Sequence, residues 1–348
     1  MTTDKLSPNW TCPIILGGNV EGALATISQI HRSLLENSPD FAYKNVHVEQ
    51  LDCFIKMLEE TANVREREAV TSKIRLVLVY KRGEPVRLLS TFLHLKQLIL
   101  AQLLNQSRLE IAEGHMLVPF ICFRSIIEHC AHFHDATQTL NQLNQSCKEL
   151  EFEMFTEQLN TLVKKTLLAT RFDWDGLDGL DHEQLAVKLA NGSIYKAKAD
   201  QKFIDLNARS ILTLIERLNK SVPLARGAYE LLCEFAHPNV GALFAVTTDI
   251  YTSIDQEGIT WETKQIGSGE MKVFDDLSTV FSNIFVQMSE ILMRFEKDSE
   301  QFIEQRNVVQ SIMQNRIRIE LKNPQLIVNG YAECPCASGA KIKFCCGR

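Results

Sequence analysis

The sequence predicts a mainly α-helical protein, a helical bundle that carries one small β-hairpin and ends in a short cysteine-rich segment. Three observations support this prediction. Apolar residues recur at helical spacing through most of the 348 residues. One stretch rich in Thr, Val, Ile, Tyr and Trp interrupts that pattern after residue 238. Four of the ten cysteines lie within the final segment of the chain.

The helical spacing predicts a series of helices before the interruption. The first places five apolar residues on one side: Ala23, Ile27, Ile30, Leu34 and Leu35. We expect Pro119 to start or kink the helix over 116–143, because its ring cannot continue an interior hydrogen-bond ladder. The predicted helices cover 21–37, 49–61, 65–80, 85–106, 116–143, 152–170 and 201–220.

The pattern changes after Pro238 and then becomes helical again. Segments 242–253 and 258–266 have strand composition and are separated by the turn sequence that ends at Gly258, which predicts a β-hairpin over about 242–266. A long amphipathic helix follows from 274 to about 319, and Asn323-Pro324 ends it. These changes predict three parts: an N-terminal helical region (1–84), a helical bundle containing the hairpin (85–320), and a linker with the cysteine-rich tail (321–348).

Composition and charge exclude several classes of protein. Hydrophobic residues make up 45% and charged residues 23%, which excludes a wholly disordered, collagen-like or coiled-coil chain. The net charge of −6 argues against a protein coated in basic surface for duplex DNA, although it leaves room for a local RNA-binding cleft. No apolar run reaches the 18 residues of a membrane span, and the N-terminus lacks the pattern of a signal peptide. We therefore expect a cytoplasmic protein without a membrane partner.

The cysteines fall into two groups. Six are scattered through apolar or helical segments, where a free thiol acts as a small hydrophobic side chain. The other four, Cys334, Cys336, Cys345 and Cys346, have the spacing C-x-C-x8-C-C. A segment this short cannot bury its own core, so it needs a cross-link. Four thiolates suit a tetrahedral Zn²⁺ ion, and such a closed site is structural; the alternative is a reducible pair of disulfides or free thiols.

The tail CPCASGAKIKFCCGR closely resembles the SEC-C motif, a zinc knuckle found at the C-terminus of the preprotein translocase ATPase and of many unrelated bacterial proteins. Both cysteine pairs, the Ser-Gly turn and the basic residues match, while Ala337 and Ala340 stand where the family often has Gly and Lys. The resemblance covers about 331–348. It implies a binding module that docks on a partner protein or on the ribosome. No phosphate-binding G-x-x-x-x-G-K-[ST] loop precedes it, so ATPase activity is unsupported.

A first group of polar residues lies in the helix predicted over 116–143. Arg124 and Glu128 are four residues apart and share a face, which favours an ion pair. Arg124 and His129 have the spacing R-x4-H. A histidine can move the proton of a ribose 2′-hydroxyl or of a leaving 5′ oxygen, and an arginine can hold the phosphate. His132 and His134 follow, but no carboxylate pattern completes a metal site with them.

The R-x4-H spacing resembles that of the HEPN-domain ribonucleases, all-helical proteins of toxin and phage-defence systems. Their motif implies metal-independent RNA cleavage, with two such helices at a homodimer interface supplying two histidines. Ser125 stands where the family usually has a polar residue such as Asn. Residues five apart diverge by about 140° on an ideal helix, so Arg124 and His129 would converge only at a kink. The alternative is an Arg124–Glu128 pair that braces the bundle.

A second group lies near the predicted hairpin. Tyr229, Cys233 and His237 follow at i, i+4 and i+8 and therefore share one helix face, and His237-Pro238 ends that helix. The pattern Y-x-x-L…H-P-N resembles one in uncharacterised bacterial proteins of HEPN-like fold, over about residues 85–240. Arg124, Glu128, Tyr229 and His237 could then line a polar cleft, or form a buried network that sets helix register.

Two functions follow from these patterns. The first is an adaptor or interaction protein that docks through its zinc knuckle on a protein or ribosomal partner. The second is a HEPN-like, metal-independent endoribonuclease of a stress or phage-defence system that uses Arg124 and His129, with Tyr229 and His237 in the same cleft. The adaptor is the preferred hypothesis because it needs fewer coincidences.

Overall fold

The computed structural model describes residues 20–36, 64–147, 150–168, 180–191, 210–237, 247–255, 258–265, 275–322 and 329–348. Over these ranges the protein is mainly helical, with eight α-helices. None of the helices in these ranges combines the length and sustained apolarity needed to cross a bilayer. The helices are α1 (Val20–Glu36), α2 (Val64–Ala112), α3 (Leu117–Ser146), α4 (Phe152–Val163), α5 (His182–Ala190), α6 (Ile211–Ser221), α7 (Ala225–Ala236) and α8 (Asp275–Leu321).

A two-stranded antiparallel hairpin lies between α7 and α8. Strand β1 (Thr247–Asp255) pairs with β2 (Gly258–Gln265), and Thr252 lies opposite Trp261. The register shifts once, between Thr247 and Asp249. Residues 238–246 and 266–274, which include the ends of the predicted strand segments, lie outside the described residues.

One predicted break between helices is wrong. The sequence pattern suggested separate helices over 65–80 and 85–106, whereas α2 continues for 49 residues with Pro85 inside it. Proline removes one ladder hydrogen bond and disfavours a helical conformation at the preceding residue. Tertiary packing outweighs that local cost here, because Val86, Leu89 and Phe92 are all buried on the far side of the proline.

Other boundaries differ by smaller amounts. Helix α3 starts close to the predicted position with Pro119 in its first turn, where a backbone N–H has no intrahelical partner to lose. Helix α4 ends at Val163 in a π-helical turn over 164–168. Helix α5 was not predicted; Asp181 caps it, accepting from the backbone N–H of Gln184 at 2.8 Å. The helix predicted over 49–61 lies outside the described residues.

The chain divides into two compact units. Unit 1 comprises Met1–Pro39, His94–Thr137 and Arg209–Glu300, and unit 2 comprises Asp40–Leu93, Gln138–Ala208 and Gln301–Arg348. The divisions fall inside the three longest helices, α2, α3 and α8. The two units are described separately below.

Unit 1 is organised by aromatic contacts between α3 and α8. The ring centroids of Phe120 and Phe281 are 4.8 Å apart. Those of Phe123 and Phe285 are 5.5 Å apart, and those of Phe133 and Phe295 are 4.8 Å apart. All six rings are buried. Because the pairs advance in step along both helices, α3 and α8 run parallel through this unit, and their polar side chains fall at fixed positions relative to each other.

Unit 2 combines a buried aromatic contact with a polar contact between α3 and α8. The rings of Phe92 and Phe302 lie 6.0 Å apart and are buried. Asn144 Nδ2 donates to the backbone oxygen of Gln305 at 2.9 Å. The C-terminal segment of this unit, residues 329–348, is built from turns and one 3₁₀ turn (Ile342–Phe344). That segment contains the four cysteines on which the metal-site prediction depends.

Candidate metal centre and helical polar clusters

The four C-terminal thiols lie together. The Sγ atoms of Cys334, Cys336, Cys345 and Cys346 all lie within 4.8 Å of one another. The Sγ atom of Cys336 is 3.4 Å from those of Cys334 and Cys345, and the Sγ atoms of Cys345 and Cys346 are 3.8 Å apart. A tetrahedral ion with 2.3 Å bonds to sulfur places its ligand atoms about 3.8 Å apart. All four cysteines are free thiols, so the donor set and its spacing fit a four-coordinate metal ion such as Zn²⁺.

A short hairpin-like turn brings the two cysteine pairs together. Glu333 and Lys341 form an isolated antiparallel bridge, and the backbone N–H of Cys334 donates to the oxygen of Ala340 at 2.8 Å. Between the two bridged residues, Gly339 has a φ of +73° and Ala337 a φ of +59°. The left-handed conformation costs a residue with a Cβ about 1–2 kcal/mol. A glycine at the position of Ala337 would not carry this cost.

Helix α8 supplies polar contacts to the thiol cluster within unit 2. Gln314 Nε2 donates to Cys336 Sγ at 3.5 Å, and Gln310 Nε2 donates to the backbone oxygen of Cys336 at 3.4 Å. Cys346 Sγ lies 3.9 Å from the backbone oxygen of Gln314. Burial raises the pKa of Cys336, but hydrogen bonds from Ser338, Cys334 and Gln314 outweigh it and bring the pKa to about 7. Side chains of this kind orient metal ligands.

Helix α2 approaches the tail on another side of the same unit. Gly83 lies inside the helix, and a Cβ placed there would overlap the carbonyl oxygen of Pro335. The obstructing atom belongs to the backbone, so no side-chain rotation could relieve the overlap. Glycine inside a helix costs roughly 1 kcal/mol relative to alanine. Close approach between α2 and Pro335 explains why this position has no side chain.

The outward face of the tail combines aromatic rings with lysines. We call Tyr331, Lys341, Lys343 and Phe344 the knuckle face. Tyr331 is 65% exposed and Phe344 is 57% exposed. The Nζ atom of Lys343 lies 3.5 Å from the ring centroid of Tyr331 and 4.6 Å from that of Phe344. Lys341 Nζ lies 5.7 Å from the Tyr331 ring. This arrangement displays both a cationic and a stacking surface to a partner.

In unit 1 the structure brings three of the predicted site residues together. Arg124 Nη2 donates to the hydroxyl oxygen of Tyr229 at 3.3 Å, and that hydroxyl donates to Glu128 Oε1 at 3.0 Å. Arg124 and Glu128 also form the predicted i, i+4 ion pair, at 3.3 Å. Burial raises the pKa of Tyr229 to about 12, although the hydrogen bond from Arg124 opposes the shift. Helices α3 and α7 therefore share one polar cluster.

His129 makes a different contact. Its Nδ1 atom lies 2.9 Å from Nζ of Lys96 on α2, with Lys96 buried. Burial, reinforced by the lysine charge, lowers the pKa of His129 to about 4, and burial lowers the pKa of Lys96 to about 8. His129 is therefore neutral near pH 7, and its Nδ1 atom accepts a hydrogen bond from the lysine. His129 thus contacts Lys96 on α2, while Arg124 contacts Tyr229 on α7.

His237 lies at the end of α7, where it is the exposed residue that follows the last helical turn. Outside the group predicted to act with Arg124, His134 is buried and makes contacts with α6 and α8. Sequence spacing could not show this, because its partners, Ser221 and Asp298, lie 87 and 164 residues away along the chain. The only sequence signal was the presence of His134 in the polar group of α3.

Comparison with models of protein families, with curated proteins and with solved structures finds no match for this chain.

The thiol cluster predicts one tightly bound Zn²⁺ per chain. Replacing Cys334 and Cys345 together by serine should remove the metal, because two ligands cannot hold a tetrahedral site. The matched control replaces Cys147 and Cys233, two free cysteines outside the tail, and should keep full zinc content. Inductively coupled plasma mass spectrometry of protein purified without chelator measures the number of zinc ions per chain. Absence of zinc in the wild type, or its retention in the tail variant, would contradict the assignment.

Gly83→Ala should loosen the tail although alanine is the better helix former. The added methyl group would overlap Pro335, so we expect zinc release to a chelator to become at least about tenfold faster, the range seen when metal-orienting contacts are lost. The control is Gly227→Ala in α7, where a Cβ would meet nothing within 4 Å; it should raise the melting temperature and leave zinc release unchanged. Identical behaviour of the two variants would show that α2 does not contact the tail in solution.

Proposed function

We propose that this chain is a zinc-binding adaptor protein whose C-terminal knuckle docks on a protein or on the ribosome. The observation that carries the proposal is the knuckle face, an exposed group of aromatic rings and lysines mounted on a closed four-thiol site. A metal with four cysteine ligands has no open position for a substrate. Its role is then to hold a small surface in shape, and that surface is the part of the tail that a partner can reach.

Two features of unit 2 support this role. Gln310 and Gln314 contact the tail on one side and Gly83 allows α2 to approach Pro335. Tyr331 and Phe344 remain exposed. An adaptor needs a rigid docking surface, because a surface that is ordered beforehand loses less entropy on binding. Cations beside exposed aromatic rings suit ribosomal RNA as well as acidic protein surfaces. The cytoplasm, where thiols stay reduced and available for zinc, is the compartment we propose.

The docking proposal predicts that Lys343→Glu with Phe344→Ser abolishes binding while the zinc content stays unchanged. The first measurement is co-sedimentation of the purified protein with ribosomes through a sucrose cushion at physiological salt. The control, Leu212→Ser with Lys220→Glu on α6, changes an apolar residue of matching exposure (56%) and an exposed lysine. It should sediment like the wild type.

If the partner is a protein and not the ribosome, site-specific cross-linking should detect it. A photoreactive amino acid at position 344 should then form one discrete cross-linked species in cells, absent when the same group stands at position 212. If the wild type neither sediments with ribosomes nor forms such a species, the knuckle is a structural part of the fold and the adaptor proposal is wrong.

A second candidate function is a metal-independent endoribonuclease, and the polar cluster of α3 and α7 favours it. Arg124 and Glu128 have side chains that are each 32% exposed, so the cluster is open to solvent. In this proposal Arg124 holds the scissile phosphate, and Tyr229 and Glu128 orient the Arg124 side chain. The acid–base histidine would be His237 at the end of α7, since His129 is engaged by Lys96. A homodimer of HEPN type would supply the second histidine.

The ribonuclease proposal predicts cleavage of total cellular RNA in the presence of EDTA. Cleavage should fall at least about a hundredfold in Arg124→Ala and in His237→Ala, the contribution typical of an acid–base residue. His115→Ala, an exposed histidine on no predicted cluster, is the control. No cleavage by folded wild-type protein, or equal cleavage by all variants, would exclude this activity.

A further inference from the structure

Three side chains in unit 1 form a linear chain of hydrogen bonds that neither proposed function uses. Asp298 Oδ2 on α8 lies 2.8 Å from His134 Nδ1 on α3. The other ring nitrogen, Nε2, lies 3.3 Å from the hydroxyl oxygen of Ser221, the last residue of α6. His134 and Asp298 are buried, whereas Ser221 is exposed. The order carboxylate, imidazole, hydroxyl therefore runs from the interior of the unit to its surface.

The carboxylate determines which nitrogen of His134 carries the proton. An ionised carboxylate can only accept hydrogen bonds, so Nδ1 must be the donor to Asp298. In the neutral imidazole the other nitrogen, Nε2, is then an acceptor. Ser221 must accordingly donate its hydroxyl proton to His134. This is the arrangement in which an imidazole base activates a serine nucleophile and a buried carboxylate holds the ring in its working tautomer.

We call the hydrogen-bonded chain of Asp298, His134 and Ser221 the relay. Charged residues next to it hold it in position. Arg294 Nη2 lies 2.8 Å from Asp298 Oδ1, the carboxylate oxygen that His134 does not use, and this ion pair offsets the charge of the buried aspartate. One turn before Ser221 on the same helix, Arg217 forms an ion pair with Asp135, the residue after His134. Helix α6 is thereby attached to α3 at two successive turns. The contact between Ser221 and His134 is consequently a fixed feature of the helix register.

The backbone after Ser221 is strained and open. Helix α6 ends at Ser221 and α7 begins at Ala225. The intervening turn contains Leu224, which has a φ of +71° and is 66% exposed. A left-handed leucine is costly, and such residues concentrate at functional sites. In the first turn of α7 a Cβ at Gly227 would meet nothing within 4 Å, so the start of this helix is open on that side.

We propose that Ser221, His134 and Asp298 form an acyl-transfer site that acts on small carboxylic esters at the corner between α6 and α7. Ser221 Oγ attacks the ester carbonyl carbon while its proton passes to His134 Nε2. The carbonyl–alkoxide bond then breaks, and the alcohol leaves with that proton. Water next attacks the acyl-serine, giving its proton to Nε2, and the carboxylic acid leaves as Ser221 regains its hydroxyl proton. Asp298 stays ionised throughout and stabilises the imidazolium.

The first test is covalent labelling of the full-length, zinc-loaded protein with a fluorophosphonate probe. A serine activated in this way forms a phosphonyl ester and releases fluoride, with its proton taken by His134. Mass spectrometry should find one adduct, on the peptide that contains Ser221, and the wild type should hydrolyse p-nitrophenyl acetate. Ser221→Ala should lose the adduct and at least about a hundredfold of the hydrolysis rate. Ser210→Ala, an exposed serine at the other end of α6, is the control and should behave as wild type.

The second test separates activation by His134 from simple exposure of Ser221. His134→Gln should abolish labelling at Ser221. Should that variant fail to fold, Ser221→Cys replaces it, since an imidazole-paired thiol reacts with iodoacetamide at pH 6 at least about tenfold faster than a free thiol. The proposal would be overturned if folded wild-type protein formed no adduct at Ser221, or if the Ser221→Cys thiol reacted with iodoacetamide no faster than free cysteine. The three residues would then only connect their helices by hydrogen bonds. Neither result depends on the knuckle or on RNA cleavage.

Discussion

The parallel packing of α3 against α8 is the constraint on which the rest of unit 1 depends. Three phenylalanine pairs bury one side of α3 at Phe120, Phe123 and Phe133. Because an α-helix repeats every 3.6 residues, fixing that side also fixes where every other side chain of α3 lies. Arg124 and Glu128 thereby meet α7, and His134 meets α8 at Asp298. Both candidate chemical sites of the unit are consequences of one aromatic contact surface.

Unit 2 depends on a different constraint, the closure of the C-terminal tail. A segment of twenty residues with few buried side chains cannot fold by burial alone, so it needs a cross-link. Its four thiols lie close enough together to provide one by binding a metal ion. The surroundings are adapted to that closure: Gln314 donates to Cys336, and Gly83 leaves room for Pro335. The tail is thus a docked part of its unit, with one side facing its own helices and the side with Tyr331 and Phe344 exposed.

The contacts of the histidines change how the functional hypotheses are weighed. Sequence spacing paired Arg124 with His129, but residues five apart diverge on a helix. Arg124 contacts α7, whereas His129 contacts α2. Burial, reinforced by the charge of the neighbouring Lys96, keeps His129 neutral by lowering its pKa. His134, which had no assigned partner in the sequence, instead lies in a complete donor–acceptor chain. Whether a histidine of this bundle can act chemically therefore depends on the residues that it contacts on other helices.

The sequence by itself determined the helical class, most helix positions and the four-thiol cluster. These follow from local information: apolar spacing, turn residues, and four cysteines so close in sequence that a short turn suffices to gather them. It also predicted the ion pair of Arg124 and Glu128, since a helix places residues four apart on one face.

Only the tertiary structure decided the rest. Helix α2 runs through Pro85 because the packing of Val86 and Leu89 outweighs a local cost that sequence rules treat as a stop. Gly83 is explained by a backbone that returns some 250 residues later to approach it. The relay of Ser221, His134 and Asp298 joins three helices distant along the chain. Local sequence patterns determine the conformation of a segment. Packing determines which remote segments come into contact with it. The candidate sites of this protein depend on both.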